Sequence, residues 1–154
     1  MPTSKRHKRF AGRAGTVVFV LFAMQAGALE PFRVVDDTIP VPLGGRIGDA
    51  ARGAALVRDR ERGNCLICHH GDDPAEPFQG SIGPPLRGVG ARLAAGQIRL
   101  RLVDMSRLNR ETVMPPYFRI DNMRDVAPAY RDQPALSAQE IEDVVSYLAS
   151  LKTE

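Results

Sequence analysis

Apolar and polar residues follow a helical period in three stretches of this chain. The first opens at Gly48-Asp49 and is expected to run to about Glu61, ending near Gly63. Gly53, Leu56 and Val57 share one face at i, i+3 and i+4, while Arg52, Arg58 and Arg60 suit water. Asp49 is a good N-cap. Gly53 sits in mid-helix, where glycine costs about 1 kcal/mol against alanine, so it points to a close approach by another element. The second stretch is 97–108. Ile98, Leu102 and Met105 lie on one side, Arg99, Asp104 and Arg107 are expected to face water, and Asn109 is a plausible stop. The third opens on the capping box Ser137-Ala138-Gln139-Glu140 and runs to about Leu151. Its stripe is Ile141, Val144, Val145, Leu148 and Leu151, bordered by Tyr147, the expected neighbour of Gly53.

The segments between these helices have less pattern. Residues 29–46 hold three prolines and read as an extended arm. Such arms pack on their own domain, stay disordered or wrap a partner. A polar loop covers 70–80. The run from Gly83 to Gly90 mixes prolines, which fix φ, with glycines, which admit positive φ, and reads as defined irregular chain. Pro115 and Pro116 rule out a helix continuing past Met114. No clear period is found over 117–136, and Tyr117, Phe118 and Tyr130 argue for a packed loop there.

Residues 1–28 are a different kind of sequence. Lys5, Arg6, Lys8 and Arg9 form a basic head, an apolar run follows from Thr16 to Met24, and Ala26-Gly27-Ala28 has the small residues of a cleavage site. This predicts a secretory signal peptide cut near Ala28, and a periplasmic protein. An uncleaved anchor is the alternative, although the apolar run is short for a bilayer. No later stretch is apolar enough to cross a membrane, so no membrane association is expected after cleavage. The leader also distorts the charge. It carries five of the 21 basic residues and no acid, which leaves 16 basic against 18 acidic side chains, near −2 instead of the overall +3. The basic character belongs to the leader and gives no reason to invoke nucleic acid.

Cys65-Leu66-Ile67-Cys68-His69 carries the chemistry. C-x-x-C-H is the attachment pattern of c-type haem: two thiols form thioethers with the two vinyl groups, and the histidine supplies the proximal iron ligand. A thioredoxin-like site should follow a strand, but the residues before Cys65 read as a helix. A structural zinc site needs about four nitrogen or sulfur ligands. The chain has two cysteines and three histidines, one of them, His7, in the leader. A disulfide between Cys65 and Cys68 is the alternative that remains. For the second iron ligand, His70 adjoins His69 and reads as a surface residue. Methionine or an open site is left. Met105 lies on an apolar helix face and Met123 in an irregular loop, whereas Met114 is on stiff, non-helical chain; Met114 is favoured. Methionine opposite histidine raises the reduction potential.

The chain after the leader resembles a class I cytochrome c. Gly48-Asp49 with Gly53, then C-x-x-C-H, then Gly83-Pro84-x-Leu86-x-Gly88, then the methionine loop and the Tyr147-Leu148 helix stand in that family's order. The resemblance implies an all-α domain over 47–154, a few helices with long loops wrapped round one covalent haem c. It implies that the first and last helices cross at Gly53 and Tyr147, and that the Pro84 carbonyl accepts a hydrogen bond from the His69 ring. Over 48–151 the chain is similar, more narrowly, to the SoxX family, the small cytochrome subunits of SoxAX. That likeness rests on Thr112-Val113-Met114-Pro115-Pro116-Tyr117-Phe118-Arg119, the long loop, the 98–108 helix leading into Asn109, and the segment from Leu136 to Val145.

That similarity implies an electron-transfer subunit of an enzyme that joins thiosulfate oxidatively to a cysteine of a carrier, SoxYZ. Two electrons are released and pass through haems to a soluble cytochrome. The implied partner is a SoxA-type cytochrome subunit with its own haem and a reactive cysteine. If Cys65 and Cys68 are both thioethers, the exported chain has no free thiol and is not catalytic alone. A free monohaem carrier between respiratory complexes is the alternative, and a haem-free thiol or metal-binding protein is a third. The loop 117–133, with its aromatics and arginines, is the candidate interface.

Overall fold

Asp49 caps the first helix as its sequence suggests, its side chain accepting from the Arg52 amide at 2.8 Å. A computed structural model describes residues 29–71 and 73–153 of the chain, and the predicted signal peptide lies outside them. Helix α1 is Ala50–Arg58. It stops earlier than the periodicity suggests because Asp59 leaves helical geometry and its side chain accepts from the Glu61 and Arg62 amides at 2.8 and 3.1 Å. α2 is one turn, Val89–Arg92, which overlaps the end of the 83–90 stretch read as irregular. α3 is Ala95–Asp104, followed by a 3-10 turn, Met105–Arg107. It begins before Gln97 because the Gln97 side chain accepts from the Ala94 amide at 2.9 Å. It ends because Asp104 turns extended and caps the Ser106 amide. α4, Ala138–Ser150, carries the capping box expected at Ser137 and Glu140. Among the described residues the only extended pairing is a single bridge between Val35 and Thr38.

α1 crosses α4 at Gly53. A Cβ there would collide with the Asp143 carbonyl and come within 2.9 Å of the Tyr147 Cβ. The crossing therefore needs glycine, and Tyr147 is the neighbour that the sequence indicates. Ile141, Val144, Val145 and Leu148 of α4 are buried with Val57, Ile98, Leu102 and Val103.

The expected exposure of two side chains is not found. Arg99 and Asp104, expected to face water, are each only 4% exposed. The Arg99 guanidinium makes two 2.7 Å contacts with the Glu142 carboxylate and donates to the Ile39 carbonyl at 2.7 Å. Glu142 also accepts from the Leu43 amide at 2.9 Å. Asp104 accepts from Ser106 and from Arg119, the latter at 2.9 Å. Polar side chains can be buried when every charge meets its complement, and residue type alone does not reveal that. The neighbouring Asp143 works on the other side of α4. It takes the Asp49 amide at 2.8 Å and two hydrogen bonds from Arg52.

These contacts settle the arm, residues 29–46, onto its own domain. Ile39 and Leu43 are 1% exposed, and the Ile39 amide donates to Gly96 at 3.0 Å. The 117–136 segment is packed at its start, where Tyr117 and Phe118 are buried, and looser at Tyr130.

Candidate functional site

The C-x-x-C-H residues fold as a 3-10 turn, Cys65–Ile67, entered through Asn64 in a left-handed conformation with φ of 49°. The Cys68 and His69 amides both donate to the Cys65 carbonyl. In a 3-10 turn residues three apart eclipse, so Cys65 and Cys68 stand on one side. Leu66 goes into the core and Ile67 out to solvent. The cysteines are not joined to each other.

The chain returns beside this turn. Gly80 donates to Leu66, Gly83 to Cys68 and Leu86 to His70, each at 2.8 Å. That alignment brings Pro84 to His69, whose Nδ1 lies 2.7 Å from the Pro84 carbonyl oxygen. A carbonyl only accepts, so Nδ1 carries the proton of that bond, and in the neutral ring this leaves the lone pair on Nε2, the arrangement of a metal-ligating histidine. Gly83 lies flat against the same ring, and a Cβ there would run into it. Arg92 of α2 donates to the Pro85 and Arg87 carbonyls at 2.8 and 2.7 Å and braces this segment. Nothing in the sequence marks Arg92 for this task, and Gly83, although part of the family motif, is not tied there to the His69 ring.

Cys65, Cys68, His69, Pro84 and Met114 all line one cavity of about 1010 Å³. Leu86, Val89, Leu93, Ile98, Leu102 and Leu148 supply apolar wall, and Arg60, Arg62, Arg92 and Arg101 contribute guanidinium groups. Met105, placed by the helical period on an apolar face, lines this cavity too. Met123 lies instead in a separate cavity of about 410 Å³ with Arg119 and Arg131. His70 is exposed. Burial pushes the Cys65 thiol up to about 11, against a smaller opposing effect of Tyr117. Burial beside the two cysteines likewise raises the Tyr117 phenol. A large, mostly apolar chamber bearing two thiols and an oriented imidazole fits a flat macrocycle with two points of covalent attachment and an iron.

The match with the cytochrome c family model covers residues 50–152, and the chain belongs to the cytochrome c family. Its cofactor is accordingly a covalently bound haem c and its role is electron transfer. Within that family it is SoxX-like. It is similar to a chain of the crystal structure of SoxXA from P. pantotrophus, at 29% identity and a TM-score of 0.71, covering 79% of this chain and 94% of that one. No curated protein matches. No helix among the described residues is long and apolar enough to cross a membrane.

Proposed function

We propose that this chain is the exported, small electron-transfer subunit of a SoxAX-type complex. In this reading Cys65 and Cys68 would hold the haem through thioethers, and His69 and Met114 would be the iron ligands, proximal and distal. The observation that carries it is the convergence of these four residues on one apolar cavity, with the His69 lone pair fixed by Pro84. The similarity to SoxXA supports the choice of complex.

Bound haem supplies reversible one-electron chemistry, and its potential follows its axial ligands and burial. The side chains do the rest. The Pro84 carbonyl orients the His69 ring and increases its basicity. A Met114 thioether favours the reduced metal. Leu86, Leu102, Leu148 and their neighbours keep water from the cavity. With both thiols committed, no free thiol is left in the exported chain, so the coupling of thiosulfate to a SoxYZ-type carrier cysteine takes place on a SoxA-type partner. This chain relays the electrons toward a soluble cytochrome. Ile67, Ile82 and Val113 line the cavity and are 61%, 72% and 77% exposed. They and the 117–133 loop are the candidate contact surfaces.

Purification of the native protein from its host tests this reading. A subunit should elute with a larger haem-bearing partner. Thiosulfate coupling to a carrier thiol should need both chains, while this chain alone should accept electrons from a chemical donor. Elution alone, with free exchange of electrons between respiratory complexes, would establish the free-carrier alternative.

A further inference from the structure

Tyr117 is 8% exposed, and its hydroxyl donates to the Gly63 carbonyl at 2.8 Å. Gly63 lies two residues before Cys65, whose Sγ is 3.6 Å from the same oxygen. The Tyr117 backbone is also held at both ends: its amide donates to Leu102 and its carbonyl accepts from Leu136, each at 3.0 Å. Only Pro115 and Pro116 separate Tyr117 from Met114. Proline fixes φ, so a displacement of Tyr117 is transmitted to Met114 with little slack to absorb it. Tyr117, Cys65 and Met114 line the same cavity. Phenylalanine would serve for packing alone. The hydroxyl is the feature that packing does not require, and here it joins two distant parts of the chain.

We propose that Tyr117 is a positioning residue. Its hydroxyl ties the segment bearing Met114 to the segment bearing Cys65 and thereby keeps the Met114 sulfur on the iron. The inference rests on the reading of Met114 as the distal ligand. Without the tie, the segment opens more often, and an added ligand competes for the iron in proportion to that open fraction.

The test uses the full-length haem-loaded protein in the ferric state. Imidazole is titrated in, and the charge-transfer band of methionine-ligated ferric haem is followed. Tyr117→Phe should keep its covalent haem and bind imidazole about tenfold more tightly, the scale of one lost net hydrogen bond. Phe118→Leu is the control for general loosening, because Phe118 is a buried neighbour in the same loop that packs on Phe32. It should lower the melting temperature without a comparable gain in imidazole affinity. Met114→Ala is the third arm and should abolish the band. An unchanged imidazole affinity in Tyr117→Phe, with the band lost in Met114→Ala, refutes the tie alone. An equal gain in Phe118→Leu also refutes it, by reducing the effect to loosening. A band that persists in Met114→Ala refutes the ligand reading, and the tie with it.

Discussion

Glu142 shows how much one side chain can organise. Its carboxylate receives the Arg99 guanidinium from α3 and the Leu43 amide from the arm, while the same guanidinium reaches the Ile39 carbonyl. Both side chains are about 95% buried or more. Breaking a buried pair by removing one charge strands the other, and the typical cost is about 3–5 kcal/mol. Glu142→Gln should therefore lower stability by about 3 kcal/mol or more, measured by denaturant unfolding. The haem spectrum of the folded fraction should be unaltered, since Glu142 does not line the candidate haem cavity. A change below about 0.5 kcal/mol, the scale of an exposed pair, would contradict this role. His69 and Gly83 are a second case. Residue type makes His69 the candidate ligand, but only the packed structure reveals that the residue beside the ring must lack a side chain.

At the level of elements, the α1–α4 crossing depends on the missing Cβ of Gly53, which lets the α1 backbone approach Asp143 and Tyr147. Gly53→Leu should push the helices apart. Overpacking costs typically about 1–3 kcal/mol, and the contact here is with backbone, which yields less than a side chain. A melting temperature several degrees lower, with covalent haem retained, is the expected outcome; an unchanged one would mean that the crossing adjusts freely. Element boundaries reveal another rule. Both α1 and α3 end at aspartates, Asp59 and Asp104, whose side chains bond the backbone just beyond them. Aspartate competes with the helix for its own amides, and that competition overrode the apolar period that ran on to Glu61 and Leu108.

For the whole molecule, Asp143 and Asp104 contribute to the response to acid. Burial acts against the charged form of Asp143, but the hydrogen bonds from Arg52, the Asp49 amide and Gln139 outweigh it and hold the carboxyl below its usual 3.8. Burial likewise acts against the charged form of Asp104, yet Ser106 and Arg119 bring its carboxyl below 3.8. A depressed folded value contributes stability that is complete above the unfolded value and is lost as pH falls through the folded one. The melting temperature should thus hold down to about pH 4 and fall below it. Asp143→Asn should be less stable than the parent at neutral pH, and the gap should close as pH drops below 3.8. A gap that stays constant through that range would mean that ionisation of Asp143 does not matter. The sequence by itself determined what depends on short spacing: the C-x-x-C-H turn, the capping box of α4, the glycine at the crossing and the helical class. It pointed to Met114 and, through family resemblance, to Pro84, both of which reach the cavity. Only the tertiary structure decided which charges are buried, that Met105 shares the cavity while Met123 does not, and that Tyr117 reaches Gly63. The physical reason is range. A period or a cap is set by residues a turn apart, whereas the burial of Arg99 depends on a carboxylate 43 positions along the chain. No local pattern encodes such a distant complement.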